Sequence, residues 1–234
     1  MPEKIVGILG GMGPEATVDL MARVIAATPA ADDSDHIHMI VDNNTKVPSR
    51  ITALIERSGS SPGPELADMA KKLVTHGADI LVMPCNTAHH YYNEIAGAVD
   101  VPVINLIELV AETVMSSQPL TKSVGILAST AVQLTGLYDQ VFDRQAVEVR
   151  FPSDLTQGKI MELIKRVKSS DVSARDIENL NSAVSELEQS GVNGIIVACT
   201  ELSVIADDLK TTLPMFDASQ LLADEVVRQV KGII

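Results

Sequence analysis

The sequence predicts an α/β fold of two pseudo-symmetric halves, each a mostly parallel sheet flanked by helices. Short β-branched runs bounded by turn residues alternate with helical segments, the βα order that a parallel sheet requires. Three landmarks of the first half also recur, in the same order, in the second. Val6-Gly-Ile-Leu9 returns as Val124-Gly-Ile-Leu127, Gly77-Ala-Asp-Ile-Leu-Val-Met-Pro-Cys85 as Gly191-Val-Asn-Gly-Ile-Ile-Val-Ala-Cys199, and Pro102-Val-Ile-Asn105 as Pro214-Met-Phe-Asp217. Their offsets of 118, 114 and 112 residues drift only as loop lengths would make them. With 46% hydrophobic and 21% charged residues, the chain has enough apolar surface to build a core without staples.

Taken in order, the expected strands are Lys4–Leu9, Ile37–Val41, Ile80–Met83, Val103–Asn105, Ser123–Leu127, Val147–Arg150, Gly194–Ala198 and Met215–Phe216. Pro14 suits the first turn of a helix running to about Ala27, and Pro62 and Pro64 mark the entry to another ending near His76-Gly77. The acidic stretch Asp32-Asp33-Ser34-Asp35 reads as a solvated loop. The repeat places one domain at 1–103 completed by 216–234, and a second, homologous domain at 104–215. Open α/β sheets bind ligands at their carboxyl strand ends, so the active site is expected in the cleft between the halves.

The formal charge of −13 excludes a nucleic-acid surface, because replacing counterions on phosphates needs clustered Lys and Arg. An anionic ligand must then be caught by a local cation. No basic stretch followed by a long apolar one opens the chain, and Asn105 and Glu108 interrupt the apolar run from Val99 to Val114, so no membrane partner is expected. The reading is a soluble, cytoplasmic protein whose two cysteines, far apart in sequence, stay reduced.

Cys85 and Cys199 are the only cysteines, and each ends an apolar run and is followed by polar residues, Asn86-Thr87 and Thr200-Glu201. A lone buried cysteine is usually an inert small hydrophobe. A matched pair where strands open into helices is different, since the positive end of a helix dipole favours the thiolate and lowers a pKa that starts near ~8.5. Two thiols on opposite sides of one carbon remove a proton from one face and supply one to the other, which is a racemase design. No Cys-x-x-Cys spacing supports a redox pair.

Other constellations weigh less. Gly11-Met-Gly-Pro-Glu-Ala16 fits a loose dinucleotide pattern with Asp42 as the ribose acid, but Ala128-Ser-Thr130 lacks the glycines, and a turn lining a small-molecule cleft is the better reading. His89-His90 beside Tyr91-Tyr92 has no second cluster of metal-ligand spacing, so no metal is expected, and His89 is assigned an orienting or polarising part near Cys85. Arg50 closes the polar segment from Asp42. It is either an exposed loop residue or the bidentate carboxylate anchor that an acidic protein needs for an anionic substrate.

These residues resemble the aspartate/glutamate racemase superfamily, in its cofactor-independent aspartate racemase branch. Ile8-Leu-Gly-Gly-Met-Gly-Pro-Glu-Ala-Thr17 is similar to the opening motif, Asp42 to Arg50 to the second, and Pro84-Cys-Asn-Thr-Ala-His89 and Ala198-Cys-Thr-Glu-Leu202 to the two cysteine motifs. The resemblance implies catalytic acid/base roles for Cys85 and Cys199. It implies an α-carboxylate cradle of Asn86, Thr87, Thr130 and Thr200, contact between Arg50 and the side-chain carboxylate, and a substrate-binding place for Met12 and Ser49. It also implies a small acidic amino acid as substrate, no cofactor, and a homodimer. The family's Tyr-x-x-x-Lys element, whose Lys serves substrate binding, is incomplete here: the resemblance implies that place for Lys168, which fits with a one-residue slip, and Lys165 competes with it. Glu201, where glutamate racemases place His, favours the aspartate branch. The rival readings are maleate isomerase or hydantoin racemase chemistry on the same scaffold, and a non-catalytic dicarboxylate-binding protein.

Overall fold

The structure, a computed structural model, describes residues 3–232. The chain forms two units, one taking it up to Leu106 and again from Ser219 onward, the other running Ile107–Ala218. The first unit contains β1 (Val6–Gly10), α1 (Pro14–Ala27), β2 (Met39–Asn43), α2 (Arg50–Leu54), α3 (Gly63–Thr75), β3 (Ile80–Val82) and α4 (Tyr92–Ala96), with 3-10 turns at Asp33–Asp35 and Thr87–Tyr91. From α5 (Leu106–Ser117) the chain continues through β4 (Ser123–Leu127), α6 (Thr130–Thr135), α7 (Leu137–Asp143), β5 (Glu148–Arg150), α8 (Asp154–Lys168), α9 (Ala174–Gln189), β6 (Ile195–Val197), α10 (Thr200–Ser203) and β7 (Met215–Asp217). The last helix, α11 (Ala218–Lys231), belongs almost wholly to the first unit. No helix among the described residues is long and apolar enough to cross a membrane.

Both sheets are parallel throughout and repeat one order, β2-β1-β3 in the first unit and β5-β4-β6-β7 in the second. The expected strand at Val103–Asn105 is reduced to one bridge between Leu81 and Val103, closed by Leu81 N–H to the Pro102 carbonyl and Ile104 N–H to the Leu81 carbonyl, both 2.9 Å. Pro102 has no N–H with which to lengthen the ladder, and α5 begins at Leu106. The bridge lies beside β3 as β7 lies beside β6. β2 also begins later than the sequence reading has it, because its ladder with β1 opens at Met39 opposite Val6. The acidic stretch before it is a capped turn, in which the Asp35 carboxylate accepts the Ala31 and Asp32 N–H groups.

The repeat has a packing reason. α3 buries Leu66, Met69, Ala70 and Leu73, and α9 buries Leu180, Ala183, Val184 and Leu187, in each case one helical stripe at i, i+3, i+4 and i+7. Each of these pairs is separated by the same 114 residues as the cysteines. A fully buried leucine contributes about 1.5–3 kcal/mol by leaving water, so these stripes fix the helices on the sheets. A Cβ on Gly7 would lie 2.5 Å from Leu81 Cδ2 and 3.2 Å from Leu73 Cβ, and one on Gly125 3.0 Å from Leu187 Cδ1. The glycine of the repeated Val-Gly-Ile-Leu phrase is therefore the slot into which the helix settles. Both helices are followed by a glycine in the left-handed region, Gly77 at φ +102° and Gly191 at φ +83°, which turns the chain into the strand carrying the next cysteine.

Candidate functional site

In the first unit the candidate residues gather at the carboxyl ends of β1, β2 and β3. The loop after β1 is shaped by Thr17, a residue the sequence reading left without a role. Its hydroxyl accepts the Gly11 N–H at 2.9 Å and donates to the Gly13 carbonyl at 3.1 Å. Gly11 has φ +88°, and a Cβ there would lie 2.3 Å from the Asn44 backbone, so this loop and the one after β2 touch main chain to main chain. Arg50 ties them a second time. Its guanidinium donates to the carbonyls of Met12 at 3.0 Å, Pro48 at 3.1 Å and Val47 at 3.5 Å. Three of its five N–H donors are thereby directed at main chain, which makes Arg50 a loop clamp before any ligand arrives. Ser49 caps α2, its hydroxyl accepting the Thr52 N–H at 3.2 Å.

Met12, Val47 and Cys85 share one buried cluster with Ala88 and Tyr91. Tyr91 appeared in the sequence only as a discarded metal neighbour. Here burial raises the pKa of its phenol, while a hydrogen bond with Ser61 and the Arg50 charge act the other way. Cys85 is a free thiol, 6% exposed. Asn86 after it is buried, and Thr87 begins the 3-10 turn. His89 acts on the main chain of the cysteine turn. Its Nδ1 donates to the Cys85 carbonyl at 2.9 Å and its Nε2 accepts the Leu106 N–H at 3.1 Å, a tautomer set by those two partners. Burial lowers its pKa from 6.5 to about 4, so the ring is a neutral clasp between the cysteine turn and the start of α5.

In the second unit the corresponding strand ends carry Thr130, Cys199 and Thr200. Thr130 opens α6, where its N–H meets the Met161 sulfur at 3.2 Å and its hydroxyl accepts from the Gln157 amide at 3.3 Å. The same Gln157 Nε2 donates to the Ala128 carbonyl at 2.9 Å, so this buried glutamine anchors the turn after β4. Cys199 is the N-cap residue of α10 and Thr200 its first residue, both buried.

The expected activation of Cys199 by a helix dipole is not what the structure provides. α10 has four residues, too few for a strong dipole, and the thiol donates to Glu201 Oε2 at 3.2 Å. Burial pushes the Cys199 thiol well above its ordinary range, and the Glu201 carboxylate pushes it further, against the smaller pull of the Leu202 N–H and the Lys168 ammonium. Lys168, at the end of α8, places its ammonium 2.9 Å from Glu201 Oε1. Both lysines are exposed residues of α8, and Lys168 is the one whose ammonium meets the neighbour of the cysteine. Glu201 was visible in the sequence only as a branch marker, since its link to Lys168 depends on how α8 packs.

The pattern of the Asp/Glu/hydantoin racemase family matches residues 9–226. The broad specificity amino-acid racemase RacX of Bacillus subtilis is 29% identical over 227 residues, which is 95% of this chain and 96% of that protein. Among solved structures, the aspartate racemase of Picrophilus torridus superposes with a TM-score of 0.84 at 29% identity, covering 98% of this chain and 94% of its own. The glutamate racemase isoform RacE1 of Bacillus anthracis has the same fold, with a TM-score of 0.63 at 19% identity over 99% of this chain and 84% of its own.

Proposed function

Because the chain belongs to the Asp/Glu/hydantoin racemase family, we propose that it interconverts the L and D forms of a small acidic amino acid, aspartate first, by two-base proton transfer without a cofactor. The observation that carries the reading is the equivalence of the two thiols. Each follows the third strand of its sheet, behind a helix whose buried stripe matches that of the other at the same offset. We place the enzyme in the cytoplasm, where both thiols stay reduced, and as a homodimer.

In the proposed cycle one cysteine is a thiolate and the other a thiol. The thiolate takes the α-proton, the electron pair left on Cα is delocalised into the α-carboxylate, and the opposite thiol returns a proton to the other face. Net, one proton moves from sulfur to sulfur and the configuration inverts. Burial and the Glu201 carboxylate both hold the proton on Cys199, so we assign it the thiol role in the resting enzyme, each cysteine acting as the base for one enantiomer. The carbanion needs donors already in place at the carboxylate, each worth on the order of 3–4 kcal/mol by analogy with oxyanion holes. Asn86, Thr87, Thr130 and Thr200 are assigned that part. Arg50 is assigned the side-chain carboxylate, and Met12 and Ser49 the loop that shapes its approach.

The name of the Bacillus subtilis relative supports a second reading, a broader range of amino acids. In favour of it, Arg50 already spends three donors on main chain and keeps only part of its fork for a substrate carboxylate.

Incubation with each L-amino acid in heavy water, read by chiral chromatography and mass spectrometry, tests both readings. Aspartate is expected to yield the D form carrying deuterium at Cα, and neutral amino acids to do so if specificity is broad. Absence of exchange with acidic and neutral amino acids alike sinks the racemase proposal. Cys85→Ala and Cys199→Ala are each expected to abolish racemisation, and a fully active single-cysteine variant would refute the two-base assignment.

A further inference from the structure

We infer that Glu201, backed by Lys168, is the positioning residue that sets the protonation state of Cys199, holding it as a thiol between turnovers. The inference rests on the reading of Cys199 as one member of the acid/base pair and goes beyond it. Cys199 Sγ donates to Glu201 Oε2 at 3.2 Å, an arrangement in which the sulfur carries the proton and the carboxylate oxygen accepts it. A thiolate in the same place would face a negative charge in a buried setting, with Glu201 only 7% exposed.

A carboxylate so buried is itself costly unless paired. The Lys168 ammonium, 2.9 Å from the other oxygen, supplies the pair from α8, outside the element that carries the cysteine. The two charges therefore act on the sulfur in opposite senses, Glu201 towards the thiol and Lys168 towards the thiolate. The next acid, Asp217, is joined to this group through Ser203, whose hydroxyl lies 2.5 Å from Asp217 Oδ1 and 3.4 Å from the Cys199 carbonyl. It reaches the main chain of Cys199 rather than its sulfur.

Glu201 does not favour one direction of the reaction. Enantiomers have equal free energies in water, so kcat/KM must be the same for both in every variant. What Glu201 controls is the loading of the free enzyme. After Cys199 gives its proton to Cα, the thiolate left behind faces a carboxylate, and this repulsion favours its reprotonation from water while Cys85 returns to water the proton it took from the substrate.

The test uses Cys85→Ala, which leaves one thiol, and follows its thiolate by ultraviolet absorbance and by alkylation rate across pH. In that background Glu201→Gln, which replaces the acceptor with a neutral amide, is expected to raise the alkylation rate at neutral pH about tenfold or more, and Lys168→Met to lower it. In the two-cysteine enzyme the same variants are expected to shift the pH profile of kcat/KM in opposite directions, equally for both enantiomers. Alkylation rates that stay unchanged, or move the same way in both variants, overturn the proposal. Circular dichroism establishes that each variant is folded, and Lys168→Met, at a side chain 40% exposed, keeps the test available if Glu201→Gln is not. The thiol titration needs no turnover, so its result stands apart from that of the racemase assay.

Discussion

Leu73 and Leu187 each rest on a glycine of the first strand of their own sheet, Gly7 for one and Gly125 for the other. The two contacts are not equally tight. A methyl on Gly7 meets Leu81 Cδ2 at 2.5 Å and Ala78 Cβ at 2.8 Å, whereas on Gly125 it meets Leu187 and Ile195 at 3.0 to 3.2 Å. Gly7→Ala is therefore expected to cost more stability than Gly125→Ala. Overpacking of this kind costs about 1–3 kcal/mol, with the first substitution at the upper end. Urea unfolding of both variants gives the order, and equal losses would contradict the packing argument.

Gly11 faces a different obstacle, since the Asn44 backbone cannot swing aside as a side chain does. Gly11→Ala is expected to push the loops after β1 and β2 apart and to break the Arg50 bond to the Met12 carbonyl. The measurable result is a rise in KM for the substrate with a smaller change in the unfolding midpoint. Thr17→Val, which removes both hydroxyl bonds of the same loop from a buried position, is expected to cost about 1–3 kcal/mol and to raise KM alongside.

Arg50→Lys keeps the charge and loses the fork. An ammonium cannot hold the Met12, Val47 and Pro48 carbonyls and a substrate carboxylate together. A hydrogen bond to a charged group is worth about 1.5–3 kcal/mol, so KM for aspartate is expected to rise about tenfold or more. Steady-state kinetics with aspartate and with alanine separates the two readings of specificity. A selective loss for aspartate supports the acidic-substrate assignment, and an equal loss for both assigns Arg50 to the loops alone.

His89 gives the fold a dependence on acid. Its pKa is about 4 when folded against 6.5 in an open chain, so between those values the unfolded state binds the extra proton. Stability contributed by the neutral ring is complete above pH 6.5 and is lost as pH falls towards 4, by up to about 3 kcal/mol. His89→Gln is expected to lower stability at pH 7, by breaking the clasp to Leu106, and to fall less steeply on acidification. Urea midpoints of wild type and variant at several pH values check this, and parallel slopes would rule it out.

The order of strands in both units was legible because the repeat carries it. A matched Gly, a matched leucine stripe and a matched cysteine leave few ways to fold the two segments differently. Val103–Asn105 was over-read, since its β-branched residues look like those of β3 while Pro102 withholds the N–H that a ladder needs. The residues named for the site lie at strand ends as the βα pattern implies, but their partners were hidden. That Arg50 holds the Met12 carbonyl, or that Lys168 meets Glu201, depends on loops and helices distant in sequence. The lowering of thiol pKa expected at a helix start is not found at Cys199, for a related reason. The polar residues that mark a helix start say nothing of its length, and one of them is the carboxylate that opposes ionisation.

α11 returns to the first unit at its far end, with Arg23 Nη1 donating to Gln220 at 3.1 Å and Lys231 paired with Glu3. The unit that carries Cys85 is thus assembled from two stretches of chain, and the unit that carries Cys199 from one. During synthesis the segment bearing Cys199 leaves the ribosome complete, while the one bearing Cys85 waits for the final helix. A nascent chain stalled before α11 would hold a finished second unit and an open first one.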